Sequence, residues 1–281
     1  MIKIGEKVSE PYPLTLEQYH FFHDNGFVVI PQLYTSEECD FILAMIERHA
    51  NAKHDLIMQP HRARFLREYD ARLKTPEVEA QIKETSEFLY SLMRDTKMVS
   101  ILEALQRNVL YEMSYAGNME KTRELMGVMT QMIFKYPQTG DQKGWNVHQD
   151  NTYTRNPNGL YITTNTFLAD ANLENGTMFL YPGSHKEPLL PCEEIKTFDR
   201  VTGKSPGNSI KEIPPQYAKV DVTFKKGDTL VLHGNCLHGS YENTSNRPRP
   251  LHMNTYIPNG EFFIPGRKAQ RRAFVLNLLT D

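Results

Sequence analysis

His148, Gln149 and Asp150 set an imidazole and a carboxylate two residues apart. On an extended strand, where side chains alternate, both point to one side, about 6–7 Å apart along the chain. A cation between them would take an imidazole nitrogen and a carboxylate oxygen. A third ligand would complete a facial triad with positions left open, the arrangement of non-haem iron oxygenases. Taken alone the pattern is common, and a solvated histidine near an aspartate accounts for most instances of it.

The second half of the site is sought in Gly234 to Ser240, which follows the tight turn Lys226-Gly227-Asp228 and a strand over Thr229 to His233. His238 sits where a neighbouring strand can return to the first pair. His233 competes for the role, and His238 is preferred because small Gly239 and Ser240 leave room for a metal-bound ligand beside it. Arg249 lies eleven residues after His238, beyond a polar turn over Glu242 to Asn246. There it would point into a barrel as the next strand begins. A buried guanidinium needs an anion, and it binds a carboxylate through two charge-assisted hydrogen bonds. Arg247 has the same parity and is the alternative.

These residues need a scaffold. Thr15 with Gln18 and Thr35 with Glu38 are capping boxes that open two helices, the first stopping at Gly26. Phe27 to Ile30 reads as a short strand. Thr75-Pro76 signals another helix running past Leu92, and Ile101, Leu102 and Leu105 keep helical spacing. Beyond Gln131 the runs are short and β-rich: Gln131 to Tyr136, Tyr161 to Ala169, Met178 to Tyr181, Val220 to Phe224, Thr229 to His233 and Leu251 to Ile257. Gly, Pro, Asn and Asp punctuate them. The expectation is one α+β domain over 1–281. A mainly helical flank (1–130) packs on one face of a barrel (131–281), and the irregular segment 187–218 serves as a lid or binding loop.

Composition narrows the classes. Forty per cent of the 281 residues are hydrophobic, enough for a sizeable core, and the formal charge of −2 offers no general attraction to nucleic acid or an anionic membrane. No window approaches the roughly 20 apolar residues of a spanning helix. Cys39, Cys192 and Cys236 are too few and scattered for a disulfide framework or a thiolate zinc site. The expectation is a soluble cytoplasmic protein acting on a small molecule, as a monomer or homodimer.

Four blocks, in order, resemble the phytanoyl-CoA dioxygenase family of iron(II)- and 2-oxoglutarate-dependent oxygenases. They are Leu14 to Pro31, Gly144 to Asp150, Asn175-Gly176-Thr177 with Pro182 to Lys186, and the stretch from Lys226-Gly227-Asp228 through His238-Gly239-Ser240 to Arg249. The resemblance implies a double-stranded β-helix, a jelly-roll or cupin-like barrel. It implies His148, Asp150 and His238 as the ligands of Fe(II), and Arg249, helped by Ser240, as the partner of the far carboxylate of 2-oxoglutarate. Thr163 and Asn165, on one face of their strand by period-two alternation, are implied as further cosubstrate contacts, with Gln131 on the preceding strand. Lys135 shares the parity of Gln131. Members often carry tryptophan where this chain has Asn165. His185 is read as structural. With O2 as second cosubstrate, the implied reaction hydroxylates a C–H bond of a small metabolite or natural product. An acyl-CoA 2-hydroxylase is the alternative. A cupin-type metalloenzyme without 2-oxoglutarate and a non-catalytic binding protein are the rivals. The carboxylate of Asp150 argues against a halogenase, which leaves that ligand position to a halide.

Overall fold

The computed structural model describes residues 10–49, 56–59, 62–65, 84, 87–107, 111–113, 119–121, 123–137, 144–197, 199, 204, 206–261 and 274–276. Both capping boxes form. Thr15 and Gln18 exchange their two hydrogen bonds at the start of α1 (Leu16–Asn25). The Thr35 and Glu38 pair does the same at the start of α2 (Ser36–His49). Gly26 closes α1 in the left-handed conformation, φ 81°, its N–H on the Phe22 carbonyl at 2.7 Å. The Thr75-Pro76 helix start lies outside the described residues. Residues 87–93 are helical, and α3 (Thr96–Leu105) follows, capped by Asp95 and burying Ile101, Leu102 and Leu105.

Two antiparallel sheets make the barrel. The larger orders β1 (Phe27–Ile30), β13 (Thr229–His233), β8 (Ile162–Phe167), β15 (Arg249–Pro258), β6 (Leu125–Lys135), β2 (Leu56–Gln59) and β3 (Arg62–Phe65), with β16 (Phe274–Val275) also on β6. The smaller orders β12 (Val220–Asp221), β9 (Met178–Leu180), β14 (His238–Ser240) and β7 (Trp145–His148). Alternation along the large sheet divides its side chains between two layers. Met132, Phe134, Ile162, Val231 and Tyr256 pack against Phe22, Ile42, Ile101 and Leu102 of the helical layer. Ile133, Phe167, Leu230, Leu232 and Leu251 turn the other way, onto Met178 and Leu180 of the small sheet. The result is a double-stranded β-helix with helices on one face, and the space between the sheets houses the candidate site.

The structure refines three expectations. The 1–130 flank, expected to be mainly helical, also carries strands: β1, β2 and β3 join the large sheet, β4 (Tyr111–Met113) pairs with β5 (Met119–Lys121), and β6 begins at Leu125. Apart from Met126 every residue of β6 is buried, so its early half shows none of the polar alternation that marks a half-exposed strand. Segment 187–218 is not wholly irregular, because β10 (Cys192–Ile195) and β11 (Gly207–Ile210) form a hairpin inside it. The strand expected over Val220 to Phe224 shortens to Val220–Asp221.

Candidate metal and cosubstrate site

His148 and His238 are register partners across the paired strands β7 and β14, and their ring centroids lie 4.3 Å apart. In each ring Nδ1 sits near the carbonyl two residues earlier, Asn146 at 2.8 Å and Cys236 at 3.0 Å. A carbonyl only accepts, so each Nδ1 carries a proton and each Nε2 is left for a proton or a metal ion. Both Nε2 atoms face Asp150 Oδ1, at 3.4 Å and 3.6 Å. The other oxygen, Oδ2, accepts from the Thr163 hydroxyl at 2.7 Å. Two imidazoles and a carboxylate thus offer donor atoms within 4.8 Å of one another, and among the described residues no other such cluster occurs.

Strand alternation is not what brings Asp150 to this point. β7 ends at His148, and Asp150 opens the short 3₁₀ turn Asp150–Tyr153. The Asn151 N–H donates to the Gly234 carbonyl at 2.8 Å and fixes that turn against the segment before His238. His238 in turn is held by the Pro182-Gly183-Ser184-His185 stretch. Ser184 Oγ accepts from the Leu237 N–H at 2.8 Å and donates to the Tyr181 carbonyl at 2.6 Å. The Gly239 expectation is also revised. A Cβ there would meet the Phe179 ring at 2.5 Å and the Trp145 carbonyl at 2.7 Å, so the missing side chain makes room for strand packing.

Burial opposes ionisation of Asp150, but His238, His148 and the Thr163 hydroxyl outweigh it and hold the carboxyl well below its usual range. Burial also opposes protonation of His148, where the hydrogen bond and charge of Asp150 prevail and raise the pKa. In His238 burial prevails, followed by repulsion from His148, and its pKa is pushed down to about 4. An ionised carboxylate and imidazoles with Nε2 directed inward are the donor set that a divalent first-row metal takes.

Arg249 supplies the second half of the fit. It lines the same cavity as the three donors and is 2% exposed. Its Nε and Nη1 have no hydrogen-bond partner among the described residues. Phe167 lies beneath it, 5.4 Å from guanidinium carbon to ring centroid. Burial pushes its pKa down to about 10. A buried guanidinium without partners is costly unless an anion completes it. Arg247 is exposed and drops out as the alternative.

The remaining expected residues divide. Asn165 and Ser240 line the cavity. Thr163 holds Asp150 through its hydroxyl. Gln131 is buried on the strand face of Ile133 and Lys135, one step of the alternation beyond Ile133. His233 is displaced from the triad: its ring packs beside His185 and Phe22, and its Nδ1 accepts from the Asn235 N–H. His185, with Nε2 3.0 Å from the His23 carbonyl, is also remote from the donors.

Two residues in the site carried no assigned role from the sequence. Gln149, between the two candidate ligands, is completely buried. Its amide donates to the carbonyls of Asn235 and Pro188 and accepts from the Leu190 N–H, stapling the start of segment 187–218 to the site. Its place inside the His-x-Asp motif was the available signal. Lys135 also lines the cavity, and shared parity with Gln131 was the only hint of it.

Comparison with known proteins agrees with this geometry. The family model described as phytanoyl-CoA dioxygenase (PhyH) matches residues 22–251. The chain is 26% identical over 235 residues to the peroxisomal phytanoyl-CoA dioxygenase of Rattus norvegicus, covering 82% of this chain and 64% of that protein. It is 24% identical over 263 residues to the phytanoyl-CoA dioxygenase of Arabidopsis thaliana, covering 84% and 86%. The chain therefore spans somewhat less than two thirds of the rat relative's length. Among solved structures it is similar to the non-haem α-ketoglutarate-dependent carbocyclase SnoK from nogalamycin biosynthesis. The TM-score is 0.60 and the identity 20%, covering 92% of each chain, a likeness that speaks for the fold. With the match running from α1 into β15, through His148, Asp150, His238 and Arg249, the chain belongs to the phytanoyl-CoA dioxygenase family.

Proposed function

We propose that the protein is an iron(II)- and 2-oxoglutarate-dependent dioxygenase in which His148, Asp150 and His238 hold the metal and Arg249 the cosubstrate. The observation that carries this reading is the buried guanidinium of Arg249, whose Nε and Nη1 have no hydrogen-bond partner among the described residues, in the cavity that the three donors share. A cupin-type metalloenzyme that uses no 2-oxo acid has no need of that cation, and a binding protein has no need of an intact triad.

When bound, iron(II) and 2-oxoglutarate supply with O2 the oxidising power to functionalise an unactivated C–H bond, releasing succinate and carbon dioxide. The protein's part is positioning. His148 and His238 present Nε2 because backbone carbonyls hold their Nδ1 protons. Asp150 presents Oδ1 because Thr163 holds Oδ2. Arg249 and Ser240 fix the far carboxylate, and Asn165 borders the same space. Ile133, Met178, Leu251 and Met253 line the rest and limit water around the reacting bond.

The preferred substrate is a small metabolite or natural product, turned over by hydroxylation in a protein of a reducing cytoplasm, where the three unpaired cysteines are at home. An acyl-CoA is the second reading, favoured by the names of the relatives. No helix among the described residues is long and apolar enough to cross a membrane. Succinate release by the purified iron-loaded protein, screened across metabolites and acyl-CoAs, tests both. Substrate-stimulated succinate from an acyl-CoA alone would reverse the preference. Absence of any iron-dependent succinate, together with no binding of 2-oxoglutarate, would sink the oxygenase reading.

A further inference from the structure

Lys135, the last residue of β6, is the register partner of Arg249 on β15. The two side chains enter the same cavity, and ordinary sheet packing does not call for them. Lys135 Nζ is held by a built cradle. It donates to Ser240 Oγ at 2.6 Å, to the Gly176 carbonyl at 3.3 Å and to the Tyr241 carbonyl. Gly176 is shaped for this contact: a Cβ there would meet Lys135 Cδ at 2.5 Å. The cradle consists of neutral acceptors. Burial, and then the charge of Arg249, push the lysine pKa down to about 6.

The hydrogen bond to Ser240 has a direction. A carboxylate entering beside the lysine favours its charged form, and an ammonium only donates, so Ser240 Oγ is then the acceptor and its hydroxyl proton points elsewhere. Ser240 lines the cavity, and among the described residues its hydroxyl bonds only to Lys135. The free proton is thus available to a ligand.

We infer that Lys135 is a positioning residue for the far carboxylate of 2-oxoglutarate: it orients the Ser240 hydroxyl as a donor and joins Arg249 in a dicationic subsite. This rests on the oxygenase reading above. A carboxylate between Arg249 and the Ser240–Lys135 pair would satisfy the orphaned guanidinium atoms, accept the free hydroxyl proton and offset both buried charges. A monocarboxylate 2-oxo acid would do none of these.

The test uses the full chain loaded with manganese(II), a stand-in that suits the same ligands. Trp145, the chain's single tryptophan, borders the cavity and reports binding by its fluorescence. Two ligands are titrated: 2-oxoglutarate, and 2-oxopentanoate, which has the same chain length but no far carboxylate. The wild type is expected to prefer 2-oxoglutarate. Lys135→Met should weaken 2-oxoglutarate about tenfold or more, the scale of a charge-assisted hydrogen bond, and leave 2-oxopentanoate unchanged. Ser240→Ala should cost less in the Lys135→Met background than alone. Manganese affinity monitors folding; if Lys135→Met fails to fold, Lys135→Gln carries the same comparison. Equal weakening of both acids, or of neither, would overturn the inference while leaving the oxygenase reading intact. A wild type that binds neither acid would overturn both.

Discussion

Thr163 donates its hydroxyl to Asp150 Oδ2 at 2.7 Å, from a strand of the large sheet to a turn that follows the small one. That bond leaves Oδ1 facing the two histidine nitrogens and makes Thr163 the orienting partner of a candidate ligand. Thr163→Val keeps the shape and removes the donor. Metal affinity should fall roughly 10–100-fold, the usual effect of losing a partner of a metal ligand. A titration with iron(II) or manganese(II) measures it, and unchanged affinity would mean that Asp150 is held by its turn alone.

Arg249→Met should separate binding from stability. The substitution removes the guanidinium that a carboxylate would require, so 2-oxoglutarate affinity should drop about a hundredfold or more. It also removes a buried, partnerless charge, so thermal unfolding of the ligand-free protein should occur at equal or higher temperature. A sharp fall in Tm would instead make Arg249 a structural residue.

Gln149→Leu leaves the Asn235 and Pro188 carbonyls and the Leu190 N–H without their side-chain partner in a fully buried place. The expected loss is about 2–3 kcal/mol of stability, read by denaturant unfolding. Hydrogen exchange should accelerate at the Leu190 amide well before the large sheet opens. Exchange unchanged at Leu190 would show that the β10–β11 hairpin anchors the segment by itself.

Acid should destabilise the fold through two histidines outside the metal donors, half-buried His233 and buried His252. Burial pushes both His233 and His252 down to about 3 from an ordinary 6.5; for His233 the neighbouring His185 and His23 add to it. The unfolded chain gains these protons below pH 6.5, whereas the folded rings refuse them until about 3. Stability is therefore full above pH 6.5 and declines as pH falls towards 3. His252 also contacts the Thr130 hydroxyl, Nε2 to Oγ1 2.8 Å. His252→Gln keeps a polar partner there and removes the titration. Between pH 7.5 and 5, the variant should lose about 2 kcal/mol less than the wild type. Parallel losses would assign the acid sensitivity elsewhere.

Much of this protein could be read along the chain, because the signals concerned are local. Capping boxes at Thr15 and Thr35 act over three residues, and both formed where their spacing placed them. His148, Asp150 and Arg249 were singled out by residue type and position, and the family motifs by their order. Features decided across sheets were beyond that reach. β6 is buried on both faces, so its first half carried no alternation to mark it as a strand. Thr163 could be given a face by parity but not a partner, and the turn at Asp150 supplied that partner.

The choice between His233 and His238 shows the division most clearly. Both histidines end or begin a short strand, and chain spacing allowed either. Pairing of β14 with β7 places His238 opposite His148, while His233 stays at the end of β13 and packs against the helical layer. Lys135 and Arg249 share a cavity because β6 and β15 are neighbours in register. The sequence by itself determined which chemical groups were present and the local turns that carry them. Tertiary structure decided which groups meet, because strand register and burial, not distance along the chain, set the gaps between side chains.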